Sequence, residues 1–154
     1  MERRAFLKIA GGVAAGLGLT GIVTVKPARA TPAEMQEAIR AVVGSARITP
    51  GKVKLELPPL IENGNAVPLT VTVDSPMTEA EHVRVVHVFT EKNPQPYVVS
   101  FHLGPRAGRA RVSTRMRLAD SQNVVAVCQL SDGSLWSDSA AVVVTLAACL
   151  EDGI

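Results

Sequence analysis

The sequence predicts an all-β chain: an antiparallel sandwich of about seven strands, preceded by one short helix. Three observations predict it. Beyond residue 50, apolar and polar side chains alternate with period 2 over much of the chain. Clusters of turn-forming residues separate these runs at spacings of about 12–16 residues. After Gly44 no run has helical period, so nothing is available to make the crossovers of a parallel sheet.

The first thirty residues stand apart from this pattern. Glu2-Arg3-Arg4-Ala5-Phe6-Leu7-Lys8 is a basic start, Ile9 to Val25 carries no charge, and Ala28-Arg29-Ala30 is a small-residue end. Together they read as an export signal cleaved after Ala30. The paired arginines before Phe-Leu-Lys resemble the twin-arginine type. The 17 uncharged residues approach the lower limit for a membrane span. Gly11, Gly12, Gly16, Gly18 and Gly21, however, make a poor spanning helix. The expectation is a signal over 1–30 and one domain over 31–154, located in the periplasm, with no membrane span after processing.

The signal also distorts the charge balance. Of the chain's 16 basic and 14 acidic residues, it holds five and one, so residues 31–154 carry 11 against 13, a net charge of −2. Such a domain is large enough for one core and gives no electrostatic case for binding nucleic acid. Two cysteines are too few for a disulfide-dense scaffold or a four-thiolate zinc site.

Thr31 as N-cap, Pro32 at the first helical position and Glu34 at the third predict a helix start. Met35, Ile39, Val42 and Val43 then form its apolar stripe, which ends at Gly44. Val53, Leu55 and Leu57 alternate with Lys52, Lys54 and Glu56 to give the first strand. Glu62-Asn63-Gly64-Asn65 supplies turn chemistry through Asn-Gly before Val67, Leu69, Val71 and Val73 alternate again. Further strands are expected over 82–90, 97–103, 109–118, 123–130 and 140–149. The Gly104–Gly108 segment between them reads as a turn.

Four groups of residues could carry chemistry. Cys149 lies just past an apolar strand and five residues from the end of the chain, where a thiol can be accessible. The alternative is a small core side chain at a strand end. Cys128, flanked by apolar residues in mid-strand, reads as a buried and inert thiol. A Cys128–Cys149 disulfide stays open as an alternative. Arg109, Arg111, Arg115 and Arg117 alternate with apolar residues, so they form either an anion- or partner-docking ribbon or an ordinary solvated strand face. His82, His87 and His102 have no carboxylate or thiol at metal-ligand spacing, and no nucleophile–base constellation or cofactor loop is present, so neither a metal nor a cofactor is expected.

Several stretches, in order, resemble the SoxY family of bacterial sulfur-oxidation proteins. They are Glu62-Asn63-Gly64-Asn65-Ala66-Val67-Pro68, Asp74-Ser75-Pro76-Met77, Glu91-Lys92-Asn93-Pro94, Phe101-His102-Leu103-Gly104-Pro105, Val112-Ser113-Thr114-Arg115 and Ser131-Asp132-Gly133. The resemblance runs from about Thr31 to Cys149. It implies an immunoglobulin-like sandwich paired with a SoxZ-like β-sandwich subunit. It also implies a cysteine near the C-terminus, here Cys149, that holds thiosulfate-derived groups covalently. A cytochrome partner would attach them, and other periplasmic enzymes would release sulfate and oxidise the remaining sulfur. The chain itself would be a carrier and not an enzyme.

The sequence departs from the family at the ending. SoxY proteins usually end in a Gly-Gly-Cys-Gly type arm, whereas here Ala147 and Ala148 precede Cys149, and Leu150-Glu151-Asp152-Gly153-Ile154 follows. Each Gly→Ala exchange removes chain entropy of roughly 0.4–1 kcal/mol and stiffens the segment. Glu151 and Asp152 disfavour the thiolate and repel anions. A divergent, partner-binding sandwich with an inert Cys149 is therefore the alternative reading.

Overall fold

The computed structural model describes residues 29–148. The expectations for the signal before Arg29 and for Cys149 itself lie outside the described residues. Helix α1 (Pro32–Val43) begins at the expected cap: Glu34 N–H donates to Thr31 Oγ1 (3.3 Å) and Thr31 N–H donates to Glu34 Oε2 (2.6 Å). These reciprocal bonds satisfy donors that a helix start would otherwise leave bare. Gly44 ends the helix at φ 77°. Met35 and Ile39 are buried as the stripe predicts, but Val42 is exposed, so the buried face is narrower than expected.

Among the described residues nine strands follow: β1 (Ile48–Pro50), β2 (Val53–Glu56), β3 (Leu60–Ile61), β4 (Val67–Val73), β5 (Val83–Thr90), β6 (Tyr97–His102), β7 (Arg111–Met116), β8 (Gln122–Leu130) and β9 (Leu135–Val144). The six-stranded sheet runs β1-β9-β8-β5-β6, with β3 also on β9. The three-stranded sheet runs β2-β4-β7. All pairings are antiparallel except the short β1–β9 and β3–β9 contacts, which are parallel. These two short strands raise the count above the expected seven. At two and three residues they are too short to show a period of their own.

Alternation decides which side chains meet between the sheets. Val67, Leu69, Val71 and Val73 of β4 face Val86 and Val88 of β5 and Val124, Ala126 and Cys128 of β8 in one apolar core. Phe89, Val127 and Leu135 point to the opposite face of the larger sheet, where Met35 and Ile39 of α1 cover them. Along one side, Leu55 N–H of edge strand β2 donates to Asp138 Oδ2 on β9 (2.8 Å), tying the two sheets together. The other side stays open between edge strands β6 and β7, leaving a cleft of about 440 Å³.

The last strand is displaced from its expectation. β9 ends at Val144, so residues 145–148 lie outside it, although the apolar run continues. The turn expected over Glu62–Asn65 is present: Gly64 and Asn65 form it, and Asn65 N–H donates to Asn63 Oδ1 (2.9 Å). Residues 57–66 form a longer connection that contains β3, and Gly64 is absent from the described glycines with positive φ. A two-residue primed turn needs positive φ, so this turn is of another type and Gly64 has a further purpose.

Candidate functional site

Three connections and the C-terminal segment meet at one end of the sandwich. Thr145 N–H donates to Ile61 O (2.9 Å), and Gly64 N–H donates to Leu146 O (2.7 Å). Gly64 O in turn accepts from Leu118 N–H (2.8 Å), and Leu118 O accepts from Ala148 N–H (3.0 Å). The C-terminal segment is thus held backbone to backbone by Gly64 and Leu118. Ala148 and Leu118 are buried, while Leu146 is 62% exposed.

The far side of residues 117–119 is held by a side chain acting as a strand partner. Asn93 Nδ2 donates to Arg117 O (2.8 Å), and Asn93 Oδ1 accepts from Ala119 N–H (3.0 Å). Gln122 locks the amide in place: its Nε2 donates to Asn93 Oδ1 (3.0 Å), while its Oε1 accepts from Lys92 N–H (2.8 Å). Asp120 receives Lys92 and Arg29 at 3.5 Å each. Its carboxyl lies below the usual range chiefly because it accepts from Ser121 N–H, and the two cations add to this. Two stretches that carry the family resemblance, Glu62–Asn65 and Glu91–Pro94, therefore build the platform from which the chain continues into Cys149.

Cys128 sits in the core with no exposure, as its mid-strand position predicts. Burial pushes its thiol up to about 11, against a smaller lowering by a bond with the Trp136 backbone. It is a free thiol. Along β8 it lies six residues beyond Gln122, roughly 20 Å from the platform at strand rise. The Cys128–Cys149 bridge left open from the sequence involves a residue outside the described ones.

The arginines are not gathered into one site. Arg111 and Arg115 stand on the outward face of β7 with Ser113 between them, while Arg109 precedes the strand and Arg117 follows it. Arg109 and Arg111 line a groove of about 450 Å³ with Lys52, Lys54, Thr72 and Asp74. Arg115 and Arg117 border the cleft between β6 and β7, at the platform end. All four are exposed, and among the described residues none of them forms an ion pair.

His87 is buried beside Tyr97, with Nδ1 and Oη 3.1 Å apart. Burial, and secondarily the charge of His102, lower its pKa. Among the described residues no group of three or more His, Cys, Asp or Glu is placed to hold a metal ion, and no helix is long and apolar enough to cross a membrane. Sequence reasoning missed the roles of Asn93 and Leu118, and it read Gly64 only as part of a turn, which the structure shows at Gly64-Asn65, without its contact to the C-terminal segment. Asn93 and Gly64 lie within the stretches that carry the family resemblance, but only the fold shows that they converge.

The fold defines a β-sandwich whose segment 145–148 is anchored at one end of the two sheets. The family model for the sulfur oxidation protein SoxY matches residues 39–149. The structure of the sulfur carrier protein SoxY from Chlorobium limicola f thiosulfatophilum is 34% identical, with a TM-score of 0.62, covering 74% of this chain and 98% of that one. A superoxide reductase (neelaredoxin) from Ignicoccus hospitalis, 17% identical with TM-score 0.55, covers 61% of this chain and 80% of its own. A putative superoxide reductase from Thermotoga maritima, 22% identical with TM-score 0.52, covers 64% and 87%. The two reductases share the fold alone. Among curated proteins none matches. The chain belongs to the SoxY family, and its role is that of a sulfur-oxidation carrier.

Proposed function

We propose that the chain carries thiosulfate-derived sulfur covalently on Cys149 and leaves catalysis to its partners. The observation that supports this most is the platform: the chain is anchored at one end of the sandwich as far as Ala148, one residue before Cys149. The other thiol is buried and resists ionisation, so it cannot serve. In the loading step the Cys149 thiolate and thiosulfate form an S–S bond and release two electrons to a cytochrome partner. The product is a cysteine S-thiosulfonate. Hydrolysis by a second periplasmic enzyme then releases sulfate and leaves a persulfide on the cysteine.

Export by the twin-arginine-type signal would bring the chain to these partners, and a SoxZ-like sandwich subunit would complete the heterodimer. Cleavage after Ala30 leaves Thr31 as the new N-terminus, where its ammonium still faces Glu34 and keeps the helix cap. The unpaired Arg109, Arg111, Arg115 and Arg117 supply a docking surface for anionic groups on a partner. Replacing Arg109 and Arg111 with Ala should weaken that association, and more so at low salt. Affinity that ignores both the substitution and ionic strength would return the arginines to a solvated face.

The carrier reading is tested by intact-mass measurement after exposure to thiosulfate and the cytochrome partner. The wild-type chain should gain a mass that Cys149→Ser does not. An unmodified wild-type chain would favour the inert, partner-binding alternative.

A further inference from the structure

We propose that Gly64 is a positioning residue for the carrier cysteine. It holds the C-terminal segment on the sandwich, so that Cys149 leaves the body from one fixed point. The inference rests on the reading of Cys149 as the attachment site, and it adds what determines where that thiol is presented.

A side chain at this position would have no room. A Cβ on Gly64 would collide with the carbonyl oxygen of Leu118 and stand 2.7 Å from Ala148 N and 3.1 Å from Leu146 O. All three are backbone atoms and cannot swing aside as a flexible side chain would. The glycine is therefore required for close approach and not for a left-handed turn. Its own backbone uses that proximity fully, because its N–H holds Leu146 and its C=O holds Leu118, which in turn holds Ala148. Asn93 clamps the opposite side of the same Leu118 segment, so the support of the latch is itself fixed.

The latch sets how far the thiol can travel. While it is closed, the last of the described residues, Ala148, is anchored, and the platform must approach any enzyme that takes the thiol. Opening it frees residues 145–148, about 13 Å of extended chain. That length suits entry into a deep active site. Close packing at Gly64 thus converts the stiffer Ala-Ala ending into a defined presentation of Cys149.

The test uses the full chain with a nitroxide label on Cys149, together with the rate at which iodoacetamide alkylates the unlabelled thiol. Gly64→Ala should increase label mobility and raise the alkylation rate about two- to tenfold, the factor produced by losing one backbone hydrogen bond of ordinary net strength. Gly104→Ala is the control, since a Cβ there meets nothing within 4 Å; it should change neither readout. Cys128 reports global opening: it must stay unreactive in every variant, or the gain at Cys149 reflects unfolding. Should Gly64→Ala not fold, Ala148→Pro deletes the donor to Leu118 O at the end of the anchored segment and should give the same gain. Wild-type mobility and alkylation in a folded Gly64→Ala or Ala148→Pro chain would overturn the proposal. If the wild-type chain takes a sulfur adduct while these variants change nothing, only the positioning role fails. If they free the label but no adduct forms on the wild type, the carrier reading fails instead.

Discussion

Strand β8 around Cys128 and the segment 145–148 that precedes Cys149 are held by opposite means. Cys128 is fixed by the packing of Val86, Trp136 and other side chains around it, a non-directional arrangement that also excludes water. Residues 145–148 are fixed by a few backbone hydrogen bonds to Ile61, Gly64 and Leu118, and three of the four side chains are exposed. Burial suppresses the thiolate at Cys128. Hydrogen bonding at the rim fixes the backbone of residues 145–148 without enclosing most of their side chains. A carrier needs a fixed base and an accessible nucleophile, and under the proposed reading this segment is the base for Cys149.

Leu118 belongs to both regions, so its truncation should have the largest effect. It has no exposure, and its backbone links Gly64 to Ala148. Leu118→Ala should cost about 2–5 kcal/mol in denaturant unfolding and also speed Cys149 alkylation. A loss of stability with no change at Cys149 would separate the platform from the core.

Cys128→Ser should act on the core alone. It buries a hydroxyl where only a weak donor stood, at a cost of about 1–3 kcal/mol, and should leave the Cys149 rate unchanged. Asn93→Ala should do the reverse. It removes the partner of Arg117 O and Ala119 N–H, costs about 1–2 kcal/mol, and loosens the platform enough to raise Cys149 reactivity. If the two variants gave the same profile, the two regions would not be distinct.

The smallest effect concerns pH. Because burial lowers the His87 pKa, the unfolded chain binds a proton near 6.5 before the folded one does. Stability should therefore be level above about pH 7 and fall as pH drops below 6.5, and His87→Phe should flatten that fall. Cys128 contributes the opposite limb. Its thiol ionises at about 11 when folded, against 9.0 for an unburied cysteine, so stability declines as pH rises through that interval. Chemical denaturation across pH checks both limbs.

Much of the fold was legible because period-2 alternation is a local signal. β4, with Val67, Leu69, Val71 and Val73 inward, could hardly be read otherwise, and the Thr31–Glu34 cap is encoded within four residues. The end of β9 was not legible. The run Ala140–Cys149 is uniformly apolar except for Thr145, and composition cannot say where pairing stops. Pairing stops because Ser121 Oγ accepts from Val144 N–H at 2.9 Å and Ile61 then takes Thr145, contacts that the sequence separates by more than twenty residues. The second role of Gly64 was hidden for the same reason. Asn-Gly usually marks a turn, and only the arrival of Leu118 and Ala148 shows that this glycine is needed for proximity. The candidate cysteine was legible by position, but its platform was not, because it is assembled from four distant stretches.

The central claim is that the two thiols divide their roles, and locating the adduct tests it most directly. No Lys or Arg follows Arg117, so trypsin leaves both cysteines on one peptide. Cleavage at Asp138, or fragmentation of that peptide, is needed to separate them. After turnover with thiosulfate and the cytochrome partner, the added sulfur should lie on the Cys149 fragment, with Cys128 unmodified. Sulfur on Cys128, or on neither cysteine, would contradict the account.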